Sequence, residues 1–184
     1  LKLGSFNIQV FGESKMSNEL VVKVLVKILT RYDIVFVQEI RDSSDSAIHK
    51  LVALLKAETE VNYQLSLSER LGRSDSKEQY AFIYNPAKVN VLKSFQFEDK
   101  KGLFERPPYS LLLESPSEAT VAFFTGVHVK PDNAPQEISD LVQVYEEYAS
   151  SSDDLVAKTI RTNWLLMGDM NADCKYVHES DWKD

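Results

Sequence analysis

The chain has 184 residues, 27% of them charged and 43% hydrophobic, and its 28 acidic and 21 basic side chains give a formal net charge of -7. This is the composition of an ordinary soluble globular domain with enough residues to bury a core. The acidic balance argues against a broad, charge-driven nucleic-acid coat, although local basic clusters can still form a groove. The longest apolar run, Leu20–Leu29, is interrupted by Lys23 and Lys27 and is far shorter than the roughly 20 residues of a membrane span. We therefore predict a single domain over residues 1–184 that does not cross a membrane.

The first part of the chain alternates between strand and helix patterns. A strand is predicted at Leu1–Val10, and Ser17–Asn18 can cap a helix whose apolar residues recur at helical spacing. Ile34–Val37 is a continuous apolar run, typical of a strand buried on both faces. A second helix is predicted from Ser46 to Ala57.

Strands predominate from residue 63 onward. Short alternating or apolar runs separated by turn-rich segments predict five strands, at Tyr63–Leu67, Gln79–Tyr84, Val89–Phe97, Tyr109–Leu113 and Val121–Val129. A helix is predicted after Pro135, a loop at Ser150–Asp154 and a last strand at Trp164–Met167. The chain is therefore expected to be mixed α/β with more strand than helix.

Polar side chains follow several of the predicted apolar strands. Asn7, Glu39, His128 and Asp169 lie at or just after strand ends, and Asn171 is two residues beyond Asp169. Sheet proteins usually assemble their sites at such ends, and carboxylate and amide oxygens suit Mg²⁺. The three histidines and the single cysteine lack the spacing of a zinc site. These residues indicate metal-assisted phosphoester chemistry as a hypothesis.

Each candidate also has a purely structural interpretation. Glu39 could be a carboxylate paired with Arg41, and His128 a satisfied core histidine. Local alternatives exist for the others: a turn-capping amide at Asn7, an Asx turn at Asp169 and Asn171, a solvated charge at Glu78 and a buried free thiol at Cys174. The basic residues would ordinarily be scattered surface charge: Arg41, Arg70, Arg73, Lys77 and Arg106.

A set of ordered motifs weighs against those alternatives. They are LKLGSFNI at 1–8, FGESKMS at 11–17, RYDIVFVQE at 31–39, LGR at 71–73, KEQY at 77–80 and GDMNADCKYV at 168–177. Together they resemble the secreted deoxyribonuclease I-like endonucleases of the endonuclease/exonuclease/phosphatase superfamily. The resemblance implies a four-layered α/β sandwich of two packed mixed β-sheets flanked by helices. It also implies hydrolysis of double-stranded DNA with weak sequence preference and 5'-phosphate products, using Mg²⁺ and Ca²⁺.

The resemblance also implies roles for individual residues. Glu78 and His128 are the expected catalytic pair, in which Glu78 orients the ring and His128 moves a proton. The remaining roles are metal binding at Glu39, Asn7 and Asp169, positioning of phosphate or nucleophile at Asn171, and DNA binding at Arg41, Arg73 and Arg106.

Several positions depart from the family pattern. Ser76 stands where relatives often carry an aromatic residue, and the short Phe97–Phe104 segment has no cysteine pair, which puts a loop disulfide and one Ca²⁺ site in doubt. Cys174 resembles half of a disulfide whose partner lies beyond these residues. We therefore expect this chain to lack the C-terminal third of the fold and to be weakly active or inactive as it stands.

The resemblance sets the expected surroundings of the protein. We predict a secreted monomer whose signal peptide has been removed, with the nuclear envelope and the secretory pathway as alternative locations. Its partner is double-stranded DNA, and actin binding is not predicted. Two alternative functions stay open: a non-catalytic truncated variant that binds DNA or a partner, and a phosphoesterase acting on another phosphodiester.

Overall fold

A computed structural model of the chain describes residues 1–173, 176–177 and 180. The strands of this part are β1 (Leu3–Phe11), β2 (Ile34–Ile40), β3 (Gln64–Leu67), β4 (Gln79–Tyr84), β5 (Asn90–Gln96), β6 (Tyr109–Ser115), β7 (Thr120–His128) and β8 (Trp164–Asp169). Its α-helices are α1 (Glu13–Met16), α2 (Glu19–Leu29), α3 (Ser46–Thr59), α4 (Ala134–Ala149) and α5 (Asp154–Thr162). Short 3₁₀ turns lie at Pro116–Glu118 and Pro131–Asn133.

The strands form two mixed sheets, in the orders β1-β2-β4-β3 and β5-β6-β7-β8. In each sheet one pair is parallel, β1 with β2 and β7 with β8, and the other pairs are antiparallel. Each parallel pair brings polar residues side by side: Asn7, within β1, lies opposite Gln38 of β2, and His128, the last residue of β7, lies opposite Asp169, the last residue of β8.

Alternation along β2 shows how one strand serves two cores. Val35 and Val37 face α2 and α3, where they pack with apolar helix residues such as Leu29 and Leu51. Ile34 and Phe36 point the other way, into the layer between the sheets, because successive side chains of a strand face opposite sides. This explains why every residue of β2 is buried.

The second sheet is covered in the same way. Leu141 of α4 and Ile160 of α5 pack on its outer face, against Phe123 of β7. Between the two sheets lies a core that includes Phe36, Tyr80, Phe82, Tyr109 and Leu111. The order helix, sheet, sheet, helix confirms the predicted four-layered sandwich.

Two of the helices were not predicted from the sequence. Helix α1 is a single turn without buried residues, so it has no hydrophobic pattern to detect. Helix α5 follows the predicted loop and is capped by Asp153, whose side chain accepts hydrogen bonds from the backbone of Leu155 and Val156. No helix of the described residues is long and apolar enough to cross a membrane.

Gly126 of β7 allows the two sheets to approach closely. A Cβ at this position would lie 2.1 Å from the Phe36 ring of β2. We expect Gly126→Ala to lower the free energy of unfolding by about 1–3 kcal/mol through overpacking, measured by urea denaturation. Gly12→Ala is the matched control because the nearest atom to its added Cβ, on Asp42, is 3.7 Å away. Equal stability of the two variants would contradict this account of the sheet interface.

Asp42 caps the start of α3 from outside the helix. Its Oδ2 accepts the N–H of Ala47 at 2.8 Å, and its Oδ1 accepts the N–H and hydroxyl of Ser44. The hydrogen bond from Ala47 is the main reason that the pKa of the Asp42 carboxyl is lowered to about 2, although burial acts in the opposite direction.

Because its pKa is lowered, the ionised Asp42 carboxylate stabilises the fold fully at pH values above the ordinary pKa of an aspartate. That stabilisation decreases as the pH falls toward the folded value of about 2. We expect Asp42→Ala to lower the free energy of unfolding by about 1 kcal/mol at pH 7. The difference in unfolding free energy between the variant and wild type should become smaller below about pH 4, measured by urea unfolding at several pH values. A difference that widens on acidification would contradict this assignment.

Candidate active site

A buried carboxylate and a histidine meet where the two sheets come together. Glu78 directly precedes β4 of one sheet, and His128 ends β7 of the other. Oε1 of Glu78 lies 3.0 Å from Nδ1 of His128, and the two residues are 1% and 6% exposed. Because a carboxylate can only accept, this contact favours the tautomer with the proton on Nδ1. Nε2 of His128 then faces Glu39, 4.0 Å from its Oε1.

The hydroxyl of Tyr80 holds this pair in register. It accepts the backbone N–H of His128 at 2.9 Å and donates to the backbone oxygen of Arg106 at 3.2 Å. Burial raises the pKa of the Tyr80 phenol far above its ordinary value, so the hydroxyl remains a donor. Nε of Arg106 in turn lies 2.7 Å from Glu78 Oε1 and donates to the backbone oxygen of His128 at 3.0 Å.

Glu39 is presented by irregular backbone at the end of β2. Its φ of 60° lies in the left-handed region, and the pairing of β2 with both neighbours shifts register near it. Such conformations are uncommon for residues other than glycine and often occur at functional sites. The strain is offset by hydrogen bonds to its carboxylate from the N–H of Val10 at 2.8 Å and Nδ2 of Asn7 at 3.0 Å.

The charge state of Glu39 reflects opposing effects. Burial acts to raise the pKa of its carboxyl, but the hydrogen bonds from Val10 and Asn7 and the charges of His128 and Arg41 lower that pKa overall. Glu39 is therefore a carboxylate at neutral pH. It contributes a negative charge beside the His128 ring.

Asn7 joins the carboxylates of the two sheets. Its Nδ2 donates to Glu39 and also to Oδ2 of Asp169 at 3.1 Å, while its Oδ1 accepts the N–H of Gln9 at 2.8 Å. The amide thus turns its amino group, and not its oxygen, toward the carboxylates. Its predicted role as a metal ligand stays a prediction.

The segment after β8 has a tight local geometry. Gly168 has a φ of 144°, and a Cβ there would lie 1.8 Å from the backbone oxygen of Val127, so only glycine fits. Oδ1 of Asp169 accepts the N–H of Asn171 at 3.0 Å, which is the Asx turn that was an alternative for this motif. Nδ2 of Asn171 donates to the backbone oxygen of Val129 at 2.8 Å, so β8 is also tied to the residue after His128.

Two arginines lie against Glu78. Arg41 donates from Nη1 to Ser76 Oγ at 2.9 Å, contacts Glu39 Oε2 through Nη2 at 3.4 Å, and has its Nε 3.9 Å from Glu78 Oε2. Three atoms here are buried without a hydrogen-bond partner among the described residues: Arg41 Nε, Arg106 Nη2 and Glu78 Oε2. Buried polar groups are normally satisfied, and two of these atoms, Arg41 Nε and Glu78 Oε2, lie 3.9 Å apart as a loose ion pair.

One predicted residue, Arg73, is not brought into this cluster, and another lies outside the described residues. Nη2 of Arg73 lies 3.5 Å from Asp99, and its backbone N–H donates to Glu105, which places Arg73 over the turn at Gly102. Its role in DNA binding therefore stays a prediction. Cys174, the predicted disulfide half, lies outside the described residues.

Sequence reasoning missed the residues that support the site from behind. Tyr80 was assigned only to a strand. Glu137 of α4, 1% exposed, accepts the backbone N–H of Glu105 at 3.0 Å and of Lys130 at 3.1 Å. Burial is the main reason that the pKa of the Glu137 carboxyl is raised. A Glu within the first turn of an amphipathic helix is common, so the sequence carries no signal for this role.

The donor set fits one of the two expected metals. Glu39 and Asp169 are hard carboxylate donors joined through Asn7, and no three His, Cys, Asp or Glu side chains of the described ranges are grouped to hold a metal. This fits Mg²⁺, which binds through one or two carboxylates and keeps several waters. Ca²⁺ prefers about six to eight oxygen ligands, and a Ca²⁺ site in this protein stays a prediction.

We expect Tyr80→Phe to lower the free energy of unfolding by about 1–3 kcal/mol, because it leaves the buried N–H of His128 without a partner. Tyr145→Phe is the control, since Tyr145 packs on Trp164 through its ring and should tolerate loss of the hydroxyl. Guanidinium unfolding curves of both variants measure the difference. A Tyr80→Phe variant as stable as wild type would contradict the proposed inter-sheet hydrogen bond.

Comparison with known proteins agrees with this geometry. Residues 4–178 match the family described as the Endonuclease/Exonuclease/phosphatase family. The chain is 39% identical over 188 aligned positions to Deoxyribonuclease-1 of Gallus gallus and to that of Ovis aries, covering 99% of this chain and 64% and 70% of those proteins. The chain thus spans less than two thirds of the length of the Gallus gallus protein.

The fold also has counterparts among solved structures. A functionally unknown conserved protein from Enterococcus faecalis V583 matches with a TM-score of 0.63 and 21% identity, covering 96% of this chain and 69% of that one. At this identity the likeness concerns the fold alone. The sequence matches show that the chain belongs to the endonuclease/exonuclease/phosphatase family, as a deoxyribonuclease I-like member.

Proposed function

We propose that the protein is a divalent-metal-dependent endonuclease that hydrolyses phosphodiester bonds of double-stranded DNA and leaves 5'-phosphate ends. The single observation that carries the proposal is the buried Glu78–His128 pair, with free donor atoms of Arg41 and Arg106 beside it. The 39% identity to Deoxyribonuclease-1 supports DNA as the substrate.

His128 has the geometry of a general base. Glu78 accepts from Nδ1 and so fixes the ring, which leaves Nε2 free to take a proton from an attacking water. Because Glu78 is 1% exposed, its negative charge is poorly screened and stabilises the protonated imidazole. We assign proton transfer to His128 and orientation of its ring to Glu78.

Two arginines have the geometry to hold the phosphate. Nη2 of Arg106 and Nε of Arg41 are buried donors without hydrogen-bond partners among the described residues, and both guanidinium groups lie within ion-pair distance of Glu78. Guanidinium groups stabilise negative charge as it develops on phosphate oxygens. Arg41 and Arg106 are thus our candidates for this contact, and they supply a local positive charge in a chain of net charge -7.

Glu39 and Asp169 would hold Mg²⁺, with Asn7 keeping the two carboxylates together. When bound, the metal would supply Lewis-acid stabilisation of the phosphate. Asn171 is assigned to positioning, since its turn fixes Asp169. We also propose that Arg73, which is half exposed, extends the DNA-binding surface. Secretion of a monomer and the absence of actin binding remain predictions.

Nicking of supercoiled plasmid tests the proposal, using both this chain and the longest natural product of its gene. We expect the longest natural product to nick plasmid with Mg²⁺ plus Ca²⁺, EDTA to abolish that nicking, and His128→Ala to lower it about 10²- to 10⁴-fold because proton transfer is removed. This chain alone should be weakly active or inactive. His49→Ala is the matched control, since His49 is exposed on α3 and contacts the backbone of Asp45.

Other outcomes separate the alternatives. Salt-dependent duplex binding without any nicked product would support a non-catalytic binding protein. Hydrolysis of a small phosphodiester but not of plasmid would support a different phosphoesterase. Nicking that survives in His128→Ala would show that the assigned mechanism is wrong.

A further inference from the structure

Arg70 lies between two loops that carry residues of the proposed site. One loop follows β2 and begins at Arg41. The other, residues 72–77, is closed at its base by two backbone hydrogen bonds between Leu71 and Glu78, at 2.7 and 2.9 Å. The side chain of Arg70, immediately before this base, reaches both loops.

The guanidinium of Arg70 has two acceptors on each side. Toward the first loop, Nη1 donates to the backbone oxygen of Asp42 at 3.2 Å and Nη2 to that of Arg41 at 3.4 Å. Toward the second, Nη2 donates to the backbone oxygen of Lys77 at 3.0 Å and Nη1 to Oε1 of Gln79 at 3.3 Å. Four acceptors from two separate chain segments therefore surround one cation.

This arrangement depends on the shape of the arginine head group. No carboxylate of the described residues lies within ion-pair distance of Arg70, so its contacts are with carbonyl and amide oxygens. A planar guanidinium presents donors in several fixed directions, whereas a lysine presents a single ammonium point. Only arginine can join both loops at once through this one side chain.

A second side chain also joins the two loops. Nη1 of Arg41 donates to Ser76 Oγ at 2.9 Å, so the Arg41 side chain crosses from the first loop to the second. The Arg70 contacts fix the backbone of Arg41 on one side and of Lys77, next to Glu78, on the other. The position of the Arg41 guanidinium relative to the Glu78 carboxylate therefore depends on a bridge at the base of both loops.

We propose that Arg70 is a positioning residue that joins these loops into one rigid wall, so that Arg41 is held ready for the DNA backbone beside Glu78. The proposal rests on the proposed function for its substrate, but the bridge itself concerns the free protein. Arg70 acts through Arg41 and Glu78 and has no direct contact with substrate in this assignment.

Arg70→Lys tests whether Arg70 positions the two loops, because it keeps the positive charge and removes the several fixed donor directions of the guanidinium. We expect the KM for duplex DNA to rise about tenfold with a smaller change in kcat. The slope of log KM against log salt should decrease by about one, as for the loss of one phosphate contact, and the same decrease is expected in Arg41→Ala. When Arg41→Ala is already present, adding Arg70→Lys should raise the KM little further, because Arg70 acts through Arg41. Arg161→Lys is the control, since Arg161 also donates to a backbone oxygen, that of Ala149.

Hydrogen exchange of the free protein provides a readout that does not require activity. In Arg70→Lys we expect faster amide exchange in residues 41–47 and 71–78 and wild-type exchange elsewhere. If the loops respond in this way but the longest natural product does not cut DNA, the bridge is supported and the proposed function is refuted. The role of Arg70 would be overturned if exchange in both loops were unchanged or if it increased equally along the chain. A wild-type KM and salt slope in an active Arg70→Lys protein would also overturn it.

Discussion

The candidate site depends on the contact between the two sheets, because the proposed catalytic pair has one member next to each sheet. Glu78 directly precedes β4 of the first sheet and His128 ends β7 of the second, and the packing of Phe36 against Gly126 sets how closely those sheets approach. The Tyr80 hydroxyl then joins β4 to the backbone of His128. The close packing of the aromatic core between the sheets therefore fixes the 3.0 Å distance between Glu78 Oε1 and His128 Nδ1.

At the candidate site, irregular backbone lies near the ends of β2 and β8, where polar side chains are presented. The left-handed conformation of Glu39 and the shifted registers beside it end regular pairing, and the positive φ of Gly168 brings β8 against β7. Nearby hydrogen bonds from Asn7 and Val10 offset the strain. The regular sheets provide stability, while these local departures determine where Glu39 and Asp169 point.

Charge in this protein is organised locally and not by its total. Acidic side chains exceed basic ones over the whole chain, yet Arg41 and Arg106 gather at Glu78, and Arg70 supports them from behind. Arg70 and Arg106 donate several of their hydrogen bonds to backbone oxygens. The arginines therefore combine two tasks, since they fix loop geometry and also leave donor atoms free for an anionic ligand.

The sequence by itself determined the fold class, the eight strands of the described residues and the family, because apolar periodicity and ordered motifs are local properties of the chain. It also predicted Asn7, Glu39, His128 and Asp169 as site residues. It did not reveal α5 as an element, the commitment of Arg73 to Asp99, or the supporting roles of Tyr80, Glu137 and Arg70. Tertiary structure alone decided these, because each depends on partners distant in sequence: the Tyr80 hydroxyl meets a backbone group 48 residues away. No local pattern encodes such a contact, since it exists only after the two sheets have packed.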